Sequence, residues 1–487
     1  MTHTERLLPA VVFLSLLAVY GITLAPGLTW ANRGADGGDL IAAAATNGVP
    51  HPSGYPVYIL LARLFQHLPV GSLAFRTNLL SALMAAFASA LTCKLVSRIS
   101  RNASAGFVSG LAFGLSPLLW SQAVITEVYT LHAFFVTLIL FLFAEETKSD
   151  PILGLTFGLA MGNHVTSIFL LPLVFVSAHQ SSLLRRIAWT GVGLLSYLIL
   201  PLRALTHPPV NWGNPVTLEN FLWLVTARLY QNSIFALTWS GLATRLQSAA
   251  AFLLDQFGVF GLILSMLGLF LFFRRPSLSR ATLWIAAAFF VFALIYSTDD
   301  SYLYLIPLVL SFAIWLGFGV DGLMRTISGQ RDESPGSKRE STMHGLLRAR
   351  YGKRLSLAFG FFVMIYLFIL AAFHFPSVDA SHDARAEQFG TMVMAQMPAD
   401  TVVFAKGDEA VFALWYFHYG LGQRPDLAVI ATDLLHFDWY QQTLKETYPS
   451  LIVNSPYPFP ETIIARNPKR PACFVEFDVQ ANIRCNP

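Results

Sequence analysis

Apolar runs of membrane-spanning length recur along the chain, at 7–25, 73–96, 104–120, 123–144, 151–178, 187–202, 247–273, 281–297, 302–323 and 355–375. In lipid a backbone N–H or C=O finds no water, so each run predicts a helix that satisfies itself internally. The run 151–178 breaks the pattern, because the polar pair Asn163–His164 follows Gly162 at its centre. The basic residues give a reason to split it. Lys94, Arg98 and Arg101, then Lys148, Arg185 and Arg186, Arg274, Arg275 and Arg280, and the stretch from Arg325 to Arg354 are the candidates for the cytoplasmic side. With 151–178 as one span, Arg185 and Arg186 fall on the opposite side from the others. Two half-helices, 151–162 and 164–178, that dip in and return put all of them together. The expectation is about 11 membrane segments, with the N-terminus cytoplasmic and the C-terminus outside. Irregular backbone at membrane depth is tolerated only where it lines protein or a wet cavity, so the break marks a site.

The intervals between runs are unequal. Residues 26–72 and 203–246 form long external loops, and 376–487 form a soluble tail of domain size. The interval 324–354 is long and internal, and its RDESPGSKREST core has the composition of a disordered linker. In the tail, DTVVFAKGD (400–408) predicts a strand, EAVFALWYFHYGLG (409–422) a helix and RPDLAVIATDLL (424–435) a second strand, which makes one βαβ-like unit. No G-x-G-x-x-G follows the first strand, which excludes a dinucleotide fingerprint there. The fold class is therefore an all-α polytopic membrane domain over 1–375 with an external α/β domain over 376–487. Arg6 precedes the first run, but no small-residue cleavage site comes before Pro26, so 7–25 reads as an uncleaved span rather than a leader. Gly106, Gly110 and Gly114, and again Gly154, Gly158 and Gly162, repeat at intervals of four and predict close helix–helix packing.

Composition agrees with the pattern. Hydrophobic residues make up 55% of the 487 and charged residues 12%, against about 25% charged in soluble chains. A net charge of +4 is too small to argue for a nucleic-acid partner. Of three cysteines, Cys93 lies in an apolar run. Cys473 and Cys485 lie in the tail, where they either pair in an oxidising compartment or remain two thiols.

Candidate chemistry concentrates in the first external loop, TWANRGADGGDLIAAAATNGVPHPSGYPVYILLARLF (29–65). Asp36 and Asp39 stand where glycines give way to an Ala-rich helix. One of them reads equally well as a plain helix cap. As a pair they suit deprotonation of an acceptor hydroxyl or the holding of a divalent metal. His51 sits between two prolines in PHPSGYP (50–56). Arg63 and Arg76 are external basic groups, fit either for interface anchoring or for clamping a phosphate. Glu127, Tyr129 and His132 open the next helix, Asn163 and His164 sit at the break, Arg203 closes a helix, and Asp299 and Asp300 lie in a short turn. All of these fall on the external side of the predicted topology, and ionisable groups at membrane depth are functional candidates; placement at the interface is the competing reading, and the better one for Asp299 and Asp300.

These motifs resemble a known family. D-x-G-[ED]-[FL] followed by G-[IV]-P-H-P-x-G-x-P-[LV]-Y is similar to a large bacterial family of GT-C-like membrane proteins, related to transmembrane protein O-mannosyltransferases. The likeness continues through FRTNLLSAL (75–83), SQAVITEVYTLHAFF (121–135), GLAMGNHVTSIFLLP (158–172), LPLRALTHPPVNWGNP (200–215) and TDDSYLYLIP (298–307). The resemblance implies a GT-C glycosyltransferase of the bacterial inner membrane. Such an enzyme takes a sugar from a polyprenyl-phosphate-linked donor and gives it to a protein or glycan acceptor on the external face. It carries the family's essential acid onto Asp36, with Asp39 beside it. His51, Arg63, Arg76, Glu127, Tyr129, Asn163, His164 and Arg203 become the donor-phosphate or substrate-binding set. The chain departs from the pattern with Asp at 39 where Glu is usual and Asn at 214 where Asp is common. A transporter or flippase of lipid-linked sugar, and a catalytically inactive accessory relative, are the alternative functions.

Overall fold

The computed structural model describes residues 3–145, 150–176, 180–234, 239–273, 275–329, 343–453 and 459–486. Lys148, Arg274 and the linker core at 330–342 lie outside the described residues. The helices run α1 His3–Thr23, α2 Gly37–Ala45, α3 Pro56–Gln66, α4 Leu73–Ser100, α5 Ala103–Gly114, α6 Pro117–Ala123, α7 Tyr129–Ala144, α8 Asp150–Met161, α9 Leu171–Phe175, α10 Gln180–Leu194, α11 Ile199–Ala204, α12 Leu218–Val225, α13 Trp239–Phe272, α14 Pro276–Ile295, α15 Ile306–Ile327 and α16 Met343–Val378. The tail adds α17 Arg385–Gln396, β1 Val402–Lys406, α18 Asp408–Trp415, β2 Ala428–Ala431, α19 Asp438–Thr447, α20 Pro460–Arg466, β3 Ala472–Phe477 and β4 Ala481–Asn486.

Among the described residues, six helices are long and apolar enough to span a membrane, and the pair α5–α6 makes a further, bent span. Leu7–Thr23, Tyr129–Ala144, Asp150–Met161 and Val165–Phe175 are shorter apolar helices that complete the expected set. Three spans differ from the expectation in shape. The run 104–120 is not one helix, because the chain bends by 63° between Gly114 and Pro117. Pro117 has no N–H to continue the ladder, and the Gly114 carbonyl freed by the bend takes the Tyr20 hydroxyl at 2.7 Å. The next helix starts at Tyr129 rather than 123, leaving Val124–Val128 as connecting backbone. The span 247–273 belongs to the longer α13, kinked at Gly258 with φ 61°. That backbone conformation favours glycine, and the Phe257 carbonyl takes the Tyr366 hydroxyl at 2.7 Å. Part of the expected linker, 343–354, is helical and forms the start of α16.

The interruption at 162–164 is a hairpin. Arg186 bonds Asp150 at 2.8 Å and the Val174 carbonyl at 2.7 Å, so the start of α8, the end of α9 and the start of α10 share one level. Glycines make the close fit. Gly154 faces the Arg186 carbonyl and Gly158 the Thr190 carbonyl, so α8 and α10 run side by side in the same direction. The Gly106–Gly110–Gly114 face meets α4 and α1 in the same way. At that end of the bundle Arg98 pairs with Glu145 at 2.6 Å and Arg325 with Asp321 at 2.9 Å, which gathers the predicted basic clusters together.

The tail sheet has the order β2-β1-β3-β4. β1 runs parallel to β2 and β3, while β3 and β4 are antiparallel. β1–α18–β2 is the predicted βαβ unit. Cys473 and Cys485 face each other across the β3–β4 hairpin and are bonded.

Candidate functional site

The first long loop, 26–72, is folded, not open. α2 and α3 lie within it, and Arg63 reaches from α3 to the Ala44 and Ala45 carbonyls at the end of α2, each at 3.0 Å. Cations belong at that negative helix end. Arg203 reaches the next turn, at Gly48 O. Arg76 is spent on the Gln66, Val70 and Gly71 carbonyls. Arg63 and Arg76 are thus both placed at helix ends. Their geometry stabilises the ends of α2 and α3, where unpaired carbonyls would otherwise remain.

The two aspartates have separate tasks. Asp39 is completely buried. One of its oxygens accepts the His51 backbone N–H at 3.0 Å and Nδ1–H at 2.7 Å, and the other accepts Trp212 Nε1–H at 3.1 Å. Trp212 arrives there because the second long loop, 203–246, is stitched to the first by Val49 N to Val210 O at 2.9 Å and Trp212 N to Val49 O at 3.0 Å. The shorter Asp side chain is thus fully used in holding its partners. Asp36 is the N-cap residue of α2 but makes no side-chain cap bond, so the plain capping reading fails for it. Its carboxylate keeps 39% of its surface and stands 3.6 Å from His51 Nε2. The three form a row, Asp39–His51–Asp36. With the Asp39 oxygens already turned to His51 and Trp212, this donor set fits a proton relay rather than a cation shared by the two carboxylates. Among the described residues no group of three or more metal-ligating side chains assembles.

Electrostatics sharpen the division of labour. Burial raises the Asp36 carboxyl above its usual range, the His51 charge pulls it back, and Asp39, Asp300 and Glu409 push it up again. Burial opposes the charged form of His51, but Asp36 and the Asp39 hydrogen bond outweigh it and lift the imidazole from 6.5 to about 9. The row therefore carries an imidazolium between two acids.

The break in the α8–α9 hairpin faces the same centre. Its freed Gly162 carbonyl takes the Val57 N–H at 3.0 Å, tying the break to the start of α3. Tyr55, in left-handed backbone before α3, bridges the two ends, with its ring 5.1 Å from His51 and 6.1 Å from His164. Tyr129 and Tyr304 stand 5.7 and 5.6 Å from His164. Glu127 is buried beside them, and its Oε2 accepts the Val128 N–H. Asn163 Nδ2 donates to the Val128 carbonyl at 3.4 Å, while its buried Oδ1 has no hydrogen-bond partner among the described residues. Asn214 sits at φ 39° in a turn and accepts from Asn211, so the expected acid there is replaced by a residue suited to left-handed backbone.

The tail roofs this centre, a feature the pattern of runs did not reveal. Glu387 accepts the Leu28 N–H at 2.8 Å, and Asp383 accepts the Trp30 N–H at 3.0 Å and the Thr29 hydroxyl at 2.6 Å. Those bonds and the Arg385 partner hold the Asp383 carboxyl down at about 2 against its burial. α18 lies on α2 so closely that the Gly38 backbone meets the Phe412 carbonyl, and no side chain fits at 38. Phe412 stacks over His51, and Trp212 reaches Phe412, Trp415 and Trp439. Asp408, one turn from Phe412, is raised to about 6 by burial and by Asp36. Trp212, Tyr55 and Tyr304 lay inside quoted motifs, but nothing in their spacing singled them out.

Residues 36–182 match the family described as protein O-mannosyl-transferase TMEM260 N-terminal domain, and residues 386–460 match TMEM260-associated domain 2. The protein O-mannosyl-transferase TMEM260 of Mus musculus is 26% identical over 466 residues, covering 90% of this chain and 64% of that protein. The tmem260 protein of Dictyostelium discoideum is 24% identical over 493 residues, covering 89% and 58%. The chain spans about three fifths of the length of these curated relatives. Among solved structures, ArnT from Cupriavidus metallidurans bound to undecaprenyl phosphate superposes with a TM-score of 0.60 at 14% identity, covering 96% of this chain and 92% of that one. Its apo state gives 0.58.

Proposed function

For a chain that carries TMEM260-family domains on a GT-C membrane fold, we propose an inverting glycosyl transfer from a polyprenyl-phosphate-linked donor to an acceptor hydroxyl. The face bearing the first loop and the tail is then the external face of the membrane, and the basic end is cytoplasmic. The observation that carries the proposal is the free Asp36 carboxylate, held at the seam of the membrane domain and the tail by a fully satisfied Asp39–His51 pair. The family relatives named as O-mannosyltransferases and the fold shared with a protein that binds undecaprenyl phosphate support the same reading.

In this mechanism the acceptor hydroxyl gives its proton to Asp36. The acceptor oxygen attacks the anomeric carbon, and the bond from that carbon to the phosphate oxygen breaks with its electron pair on the polyprenyl phosphate. That leaving group departs already ionised and needs no strong general acid. The raised basicity of this partly exposed carboxylate suits it to take the proton. His51 holds the carboxylate in place, and Asp39 holds His51. The acceptor, protein or glycan, enters under the tail.

The test uses the full chain reconstituted in liposomes with a radiolabelled polyprenyl-phosphate sugar, mannose first, and hydroxyl-bearing peptides and glycans. Label moving onto a water-soluble or lipid acceptor is the expected result. Label that crosses the bilayer still attached to its lipid supports a flippase instead. Donor binding without either event supports an accessory role.

A further inference from the structure

The tail helix that lies on the first loop brings an acid of its own to the site. Phe412 of α18 lies on Gly38, and further along, a side chain at Gly420 would meet the Ala42 backbone. Residue numbers therefore rise together along α2 and along α18 with the π-helical turn Tyr416–Gly420 that continues it, so the two helices start at the same end of their contact. Asp36 is the N-cap residue of α2 and Asp408 the first residue of α18. Asp408 and Phe412 stand four apart, on one face of the helix. The Phe412 ring is stacked over His51, whose Nε2 lies 3.6 Å from Asp36. The start of α18 is fixed, because Gly407 has φ 82°, a conformation that favours glycine, and its N–H is accepted by Asp433 at 3.1 Å. Part of the Asp408 side chain is open to solvent, and it makes no hydrogen bond or ion pair among the described residues. It stands in the field of Asp36 and His51 from the first loop and of Glu409 and Asp433 from the tail, and Tyr230 of the second loop lies near both Asp36 and Asp408. Asp36 is faced in addition by Asp39 and Tyr55 of its own loop, by Asp300 from the turn before α15 and by Glu127 before α7.

We propose that Asp408 of the tail and Asp36 of the first loop form one acid pair, in which Asp36 takes the proton of the acceptor hydroxyl and Asp408 is the positioning residue whose charge makes it a stronger base. The inference rests on the glycosyl-transfer reading. It adds that the tail is part of the reacting centre and not only a surface over it. A neighbouring carboxylate favours the protonated form of an acid, so Asp36 binds a proton more tightly while Asp408 is ionised. Desolvation by the surrounding chain, and after it the Asp36 charge, raise the Asp408 carboxyl to about 6. Asp408 therefore exerts its charge above about pH 6 and loses it below.

The experiment follows sugar transfer by the full chain in liposomes between pH 5 and 8, for wild type, Asp408→Asn and Asp408→Glu. Asp408→Asn should transfer about threefold to tenfold more slowly than wild type at pH 8, and the two rates should converge as pH falls through about 6. Asp408→Glu keeps the charge and restores the wild-type pH dependence. An acid in the first turn of a helix also favours the helix itself. If that is all Asp408 does, the ratio of the two rates is the same at every pH, which overturns the inference. A second measurement reads the pair without turnover. Carboxyl-carbon NMR of the aspartate-labelled chain in nanodiscs should show the Asp408 titration move to lower pH in Asp36→Asn, because the neighbouring charge is gone. A titration that stays in place sinks the pair and leaves the glycosyl-transfer reading intact. If the titration moves but the wild-type chain transfers no sugar to any acceptor, that reading falls and the role of Asp408 with it, while the pair stands.

Discussion

The first loop and the hairpin break each present a buried histidine to one centre and surround it with opposite chemistry. His51 is flanked by carboxylates, Asp39 at 2.7 Å and Asp36 at 3.6 Å, which lift its imidazole to about 9 against its burial. His164 is flanked by a backbone N–H and a hydroxyl and makes no hydrogen bond or ion pair with a carboxylate among the described residues. Burial penalises the charged form in both places, so the partner decides. The lesson is that the residue type does not specify the role.

The sharpest way to break this comparison is at the charged end. Asp36→Asn keeps size and removes basicity, and sugar transfer should fall by a factor on the order of 10² to 10⁴ with donor binding changed much less, measured on the same purified variant. Unchanged transfer would remove Asp36 from the chemistry. Asp39→Ala leaves the His51 and Trp212 donors buried without their acceptor. Thermal or denaturant unfolding should show a loss of about 3 kcal/mol or more, a stability defect more than a specific kinetic one.

His51 supplies a pH signature. Its folded pKa of about 9 lies above the ordinary 6.5, so its contribution is full below about pH 6.5 and is lost as pH rises through about 9. The stability gap between wild type and His51→Gln should therefore narrow from pH 6.5 to 9.5 in parallel melts. A constant gap would mean that the charge is not what holds the row. The smallest expected effect is at the hairpin break. Thr166→Val should cost only about 1 kcal/mol, with no pH dependence over the same range.

Much of the architecture was legible because lipid imposes a one-dimensional rule. A run without water partners must be a helix, and the positions of Arg185 and Arg186 forced the hairpin that the Arg186 bonds to Asp150 and Val174 now display. The bend at Pro117 and the kink at Gly258 escaped that rule, because both keep their polar groups paired through tertiary partners, Tyr20 and Tyr366. At the site, Asp36, Asp39, His51, Tyr129 and His164 were all visible as polar groups on the side away from the basic clusters. The places of Arg63 and Arg76 were not legible, for a physical reason. A guanidinium suits a phosphate and a helix-end carbonyl equally well, and only folding shows which lies within reach.

The sequence by itself determined that this chain is a bundle of membrane helices with an α/β tail, since hydrophobic length and βαβ patterning are local properties. It also sorted the candidate polar groups from the basic clusters, since charge placement along the runs distinguishes one end of the bundle from the other. Tertiary structure alone decided that Asp39 serves His51 while Asp36 stays free, because that difference depends on Trp212 arriving from 173 residues away. It alone placed the tail over the loop, through Asp383, Glu387 and the bare backbone of Gly38. Such contacts join segments with no shared periodicity, so no pattern along the chain announces them. They arise only when the bundle brings buried donors and acceptors together and each must find a partner.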